Sequence, residues 1–130
     1  MKNEELRSTK IDILERTVQY SLRIVKLYRE LEKDSVGRVF GKQLLRSGTA
    51  IGANVHEAQG GQSKADFIAK MSIAHKEARE SAYWLRLIQE AELISASRIS
   101  DLLEETGQLI KILSSILITS KRGKGKGVKS

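Results

Sequence analysis

Apolar residues recur at spacings of three and four along most of this chain, the period of helices with one buried face. In the first stretch, predicted to start near Thr9–Asp12, Ile11, Leu14, Val18, Leu22, Val25 and Tyr28 form one stripe. A second stripe runs Ile13, Tyr20, Ile24, Leu27 and Leu31. One stripe suffices for a four-helix core. Two stripes imply cover on both sides, with another subunit as the candidate second cover.

Lys33-Asp34-Ser35 interrupts the pattern, and Asp34 or Ser35 is a suitable N-cap. The second helix is expected to run to about Ala58, with Phe40, Leu44, Ser47, Ile51, Asn54 and Ala58 as its inner seam. Gly60-Gly61 ends it, and Ser63 with Asp66 three residues on approximates a capping box for a third helix over roughly 64–92. That seam is Phe67, Met71, Ala74, Ala78, Ser81, Leu85 and Ile88, with Tyr83, Trp84 and Leu87 lying off it, a second sign of a further contact. After a link at Ile94–Ser97, Ile99, Leu102, Leu103, Leu109, Ile110, Leu113, Ile116 and Leu117 give a fourth helix, over about 97–119, a broad apolar face. Short connections make consecutive helices antiparallel neighbours, so the expected fold is an all-α, up-down-up-down antiparallel four-helix bundle in residues 1–120.

Composition supports helices: proline is absent and Leu, Ile, Ala, Glu, Lys and Arg dominate. Cysteine is also absent, which excludes disulfides and thiolate metal sites and suits a cytoplasmic protein. The first residues, MKNEELRSTK, lack the apolar core of a secretory signal. No apolar run approaches the ~18 residues of a membrane span. The net charge of +7 is uneven: Lys121, Arg122, Lys124, Lys126 and Lys129 hold +5, leaving +2 for the first 120 residues. Glycine alternating with lysine builds no core, so 121–130 is expected to be a disordered basic tail that attracts polyanions by counterion release.

The stretch SGTAIGANVHEAQGG, residues 47–61, raises three chemistries. A phosphate-binding loop fails, because Gly41-Lys42 is followed by Gln43 and Val36 stands where the first glycine belongs. A di-iron bundle needs Glu-x-x-His pairs; here Glu57 directly follows His56, and Glu77 follows His75 by two. Both histidines read as surface or boundary residues, no cofactor is implied, and no enzyme chemistry is expected. What remains is packing: Gly48-x-x-x-Gly52 beside Ala53 strips a helix face so that a neighbour approaches closely. Each mid-helix glycine costs about 1 kcal/mol against alanine, which a close contact must offset.

Between Asp34 and Glu57 there is no acid, while Arg38, Lys42 and Arg46 recur every four residues as a basic stripe. It is a candidate nucleic-acid surface together with the five cations of the tail. Folding back through Gly60-Gly61 brings Arg46 opposite Glu77 and Lys42 opposite Glu80, so neutralisation within the bundle is the competing reading, favoured for Arg46 and Lys42. Asn54 and Glu57 are placed near Lys70 or Ser63. Asn54, Glu57, Glu77 and Glu80 together make a structural polar network that fixes register.

At IGANVHEA, followed by SKADFIAKMSIAHKEARESAYWL, the chain resembles the bacterial four-helix-bundle proteins encoded by intervening sequences of 23S ribosomal RNA genes. The accessory variability proteins of diversity-generating retroelements belong to the same superfamily. The matching positions are Arg46, Ala53, Asn54, Glu57, Ala58, Ser63, Asp66, Phe67, Ile73, Ala74, Glu77, Glu80 and Leu85. The resemblance covers roughly residues 11–119. It implies a helical protomer, a ring-like homo-oligomer that is most often a pentamer, and a non-enzymatic role. For the retroelement branch it further implies binding of a reverse transcriptase and nucleic acid. A protein-interaction scaffold without a nucleic-acid role is the alternative.

Overall fold

The computed structural model describes the backbone of residues 2–129 and the side chains of residues 13–122. It contains four helices, α1 (Lys2–Leu31), α2 (Ser35–Gln59), α3 (Lys64–Glu90) and α4 (Ala96–Lys129). Helix α1 begins earlier than the apolar pattern, since Lys2–Lys10 is built of residues that tolerate helix and contains no breaker. Beyond Arg122, the tail expected to be disordered lies outside the residues whose side chains are described.

The α1–α2 and α2–α3 joints follow local chemistry. Asp34 caps α2, its Oδ2 accepting from the Val36 and Gly37 amides at 3.0 and 2.8 Å. Ser63 caps α3, its Oγ accepting from the Asp66 amide at 3.1 Å. The third joint is different. Helix α3 closes with the Leu93 amide on the Ile88 carbonyl and the Glu92 amide on the Gln89 carbonyl. This closure puts Glu92 at φ 57°, where glycine is usual.

Contacts descend in register between neighbours, so the bundle is up-down-up-down. Ile24 and Thr17 of α1 meet Gly48 and Gly52 of α2, Ser47 meets Ser81, and Tyr20 and Arg16 of α1 meet Thr106 and Glu105 of α4. The core holds Tyr20, Ile24, Leu44, Ile51, Leu85 and Leu109, all within 1% of full burial. On α1 the buried stripe is Ile13, Tyr20, Ile24, Leu27 and Leu31. Of the other stripe, Val18 and Leu22 are 38% and 57% exposed, while Leu14, Val25 and Tyr28 are half-buried. On α2, Val55 rather than Asn54 completes the seam; Asn54 stays half-buried, and its Nδ2 donates to the Ala50 carbonyl at 2.8 Å.

Side-chain size sets the separation of the helices. A Cβ on Gly48 would lie 3.0 Å from Ile24 Cγ1, and one on Gly52 would lie 3.0 Å from Thr17 Cβ. Gly41 adds a third such point, 2.9 Å from the Tyr28 ring. The small-residue face of 47–61 is therefore the surface onto which α1 packs. Serine and alanine do the same between α2 and α3, where Ser47, Ser81, Ala74 and Ala78 are buried. The two hydroxyls lie 2.8 Å apart, and each also reaches a carbonyl of its own helix, Ser81 Oγ to Glu77 at 2.9 Å and Ser47 Oγ to Leu44 at 3.4 Å.

Helices α1 and α4 stand further apart and are bridged by long side chains. Arg16 forks onto Glu105, Nε to Oε2 at 3.0 Å and an Nη to Oε1 at 2.7 Å. Arg98 pairs with Glu30. Between them the Tyr20 hydroxyl meets Thr106 Oγ1 at 2.6 Å. Thr106 spends its proton on the Leu102 carbonyl, so Tyr20 is the donor. Burial pushes the Tyr20 phenol up to about 12, against smaller opposing effects of its hydroxyl neighbours. No described buried side-chain polar atom lacks a partner.

Candidate nucleic-acid interface

Helix α2 carries its basic stripe outward because the residues at 38, 42 and 46 lie off the seam of Leu44, Ser47 and Ile51. Arg46 is half exposed and takes two carboxylates of α3, Glu77 at 3.2 Å and Glu80. The Trp84 indole also donates to Glu80, at 3.0 Å. That hydrogen bond, followed by the bond from Arg46, holds the Glu80 carboxyl below its ordinary range. The same bond to Glu80, followed by that to Glu77, pushes the Arg46 guanidinium up despite its desolvation.

The sequence pairing of Arg46 with Glu77 is thus present, but Lys42 does not reach Glu80. The fork of Arg46 spans both acids, one helical turn apart on α3, and takes one oxygen of each. Lys42 and Arg38 stay exposed, and neither forms a salt bridge. Lys121 and Arg122 are exposed on α4, and Lys124, Lys126 and Lys129 lie outside the described side chains. Of the expected polar network, Glu77 and Glu80 meet through Arg46, whereas Glu57 pairs separately with Lys70 at 2.7 Å and Asn54 bonds only its own helix.

The two histidines stand apart. His56 Nε2 lies 3.1 Å from the Leu14 carbonyl, at the edge of an apolar groove between α1 and α2 lined by Val18, Leu22, Val25, Gly52 and Ala53. His75 is half-buried on α3, and its desolvation, followed by the nearby Arg79 charge, lowers its pKa from the ordinary 6.5. Among the described residues, no group of three or more histidines and carboxylates gathers as a metal ion requires, and no helix is long and apolar enough to cross a membrane.

Sequence reasoning marked Tyr83 as lying off the α3 seam but passed over the cations that share its face. Lys76, Arg79, Tyr83 and Arg86 all project to solvent there. Their spacing of three, four and three was a legible signal, since it places them on one face of a helix already assigned.

These features define a compact class, an antiparallel four-helix bundle with a glycine-thinned second helix and a basic outer surface. A crystal structure at 1.70 Å of a protein of unknown function from the S23 ribosomal protein family of Bacteroides thetaiotaomicron is 39% identical to the chain. It superposes with a TM-score of 0.80, covering 84% of this chain and 97% of that one. The family model for the 23S rRNA-intervening sequence proteins matches residues 9–115, and the chain belongs to that family. Among curated proteins none matches.

Proposed function

We propose that this protein is a non-enzymatic homo-oligomer that binds RNA or DNA electrostatically. The observation that carries the reading is the pair of cations on α2, Arg38 and Lys42, both exposed and without acidic partners, while Arg46 takes Glu77 and Glu80. An unpaired surface cation releases counterions when it meets a phosphate, so such binding weakens steeply with salt. The tail adds five cations at 121–130. The outward apolar stripe of α1, with Leu22 57% exposed, supports assembly, since burying it removes apolar surface from water. The family resemblance implies a ring of copies, most often five, and the retroelement branch of the superfamily supplies the reading of a reverse transcriptase as a protein partner.

The test is light scattering coupled to size exclusion, with and without a short RNA, at low and high salt. A ring-sized oligomer that takes up RNA at low salt and releases it at high salt supports the reading. Deleting residues 121–130 weakens binding if the tail contributes. An oligomer indifferent to RNA at both salts favours the protein scaffold instead, and a monomer removes the assembly.

A further inference from the structure

We infer that the outer face of α3 is a binding platform for single-stranded nucleic acid, on which a base stacks against Tyr83 while Lys76, Arg79 and Arg86 hold the flanking phosphates. This rests on the nucleic-acid reading above and names the ligand form and the side chains that would receive it. The four residues lie at i, i+3, i+7 and i+10 of one helix, a run of about 15 Å at the helical rise. Tyr83 sits between cations on both sides, 58% exposed. Lys76 and Arg79 form no salt bridge; Arg86 holds only the Glu90 carboxylate at 2.7 Å, between side chains 75% and 62% exposed. A pair so exposed exchanges readily for a phosphate.

The ring is also held in place. Tyr83 meets Trp84 edge-on with centroids 5.0 Å apart. Trp84 is fixed in turn by its bond to Glu80 and by Phe40, 6.0 Å away. An aromatic side chain ordered by its neighbours loses little freedom when a base stacks on it. Beside Tyr83 a shallow cleft of about 180 Å³ is bounded by Arg86, Leu87 and Glu90. The contacts of Arg46 with Glu80 and Phe40 with Trp84 set the α2–α3 register and bring Lys42 level with Tyr83. The platform therefore lies beside the basic stripe of α2, with the Arg46–Glu80 pair and Trp84 between them. Cations tracking a backbone around an aromatic step are the elements by which single strands are held without sequence preference. A duplex offers no unstacked base to Tyr83, so single strands gain a contact that duplexes lack.

The experiment is fluorescence anisotropy of a labelled oligonucleotide, single-stranded and as a duplex, with the wild type, Tyr83→Ala, Tyr83→Phe and Arg79→Gln. Tyr83→Ala is expected to weaken single-strand binding about 5- to 150-fold, the worth of one stacked base, and to leave duplex binding unchanged. Tyr83→Phe keeps the stack and the affinity. Arg79→Gln weakens both forms and lowers the salt slope by about one. Unchanged single-strand affinity in Tyr83→Ala overturns the platform while leaving electrostatic binding intact. A wild type that binds neither form removes the nucleic-acid reading and the platform with it. A Tyr83→Ala protein that changes mass in light scattering makes Tyr83 a subunit contact and also overturns the proposal.

Discussion

Glycine-to-alanine substitutions at Gly48 and Gly107 separate packing from helix propensity. Both residues are interior to helices and neither has a positive φ, so alanine suits the backbone at each. Alanine gains about 1 kcal/mol over glycine in a helix interior, and this gain is common to the two sites. At Gly107 nothing lies within 4 Å of the new methyl, so Gly107→Ala is expected to stabilise by that amount. At Gly48 the methyl meets Ile24 Cγ1 at 3.0 Å and Cγ2 at 3.1 Å, both inside the usual carbon–carbon contact of about 3.5–4.0 Å. Ile24 is fully buried, so it cannot swing into solvent to make room. Overpacking of this kind costs about 1–3 kcal/mol. Gly107→Ala should therefore exceed Gly48→Ala in stability by about 1–3 kcal/mol, the shared propensity gain cancelling. The assay is urea denaturation followed by far-ultraviolet circular dichroism at one fixed protomer concentration, with unchanged slopes confirming a like comparison. Equal stabilisation by both substitutions would refute the claim that α1 needs the bare face of α2.

Three further outcomes follow from the same geometry. Thr106→Val removes the acceptor of the buried Tyr20 hydroxyl and should cost about 1–3 kcal/mol, whereas Tyr20→Phe, which leaves Thr106 bonded to Leu102, should cost about 1 kcal/mol; thermal denaturation of the two variants ranks them. Glu92→Gly relieves the left-handed backbone at φ 57° and is expected to stabilise by about 0.5–1 kcal/mol, read as a raised urea midpoint. Glu80 is held below the ordinary 4.5 by Trp84 and Arg46, so its contribution is complete above that value and lost as pH falls through its lowered one. Glu80→Gln should accordingly flatten the acid limb of a stability–pH curve below about pH 4.5, and an unchanged limb would show that the bonds to Trp84 and Arg46 do not favour the charged form in solution.

The sequence by itself determined the four helices, because apolar spacing, the Asp34 and Ser63 caps and the Gly60-Gly61 break are local signals that each act within a few residues. It also determined that α1 had two apolar faces and that Gly48-x-x-x-Gly52 was a packing surface, since both are properties of one helix. The tertiary structure alone decided which α1 stripe is inside: Tyr20 bridges to Thr106, and Leu22 is left in solvent. Periodicity describes both faces equally, so it cannot choose between them. The third joint was read from the lapse of the apolar pattern near Ile94–Ser97, but its left-handed turn was not legible, because Glu92 takes the position that glycine would have marked. Pairing across helices also depends on reach as well as register. Spacing put Lys42 opposite Glu80, but the forked guanidinium of Arg46 spans both α3 acids, and Lys42 stays an exposed cation without a carboxylate partner.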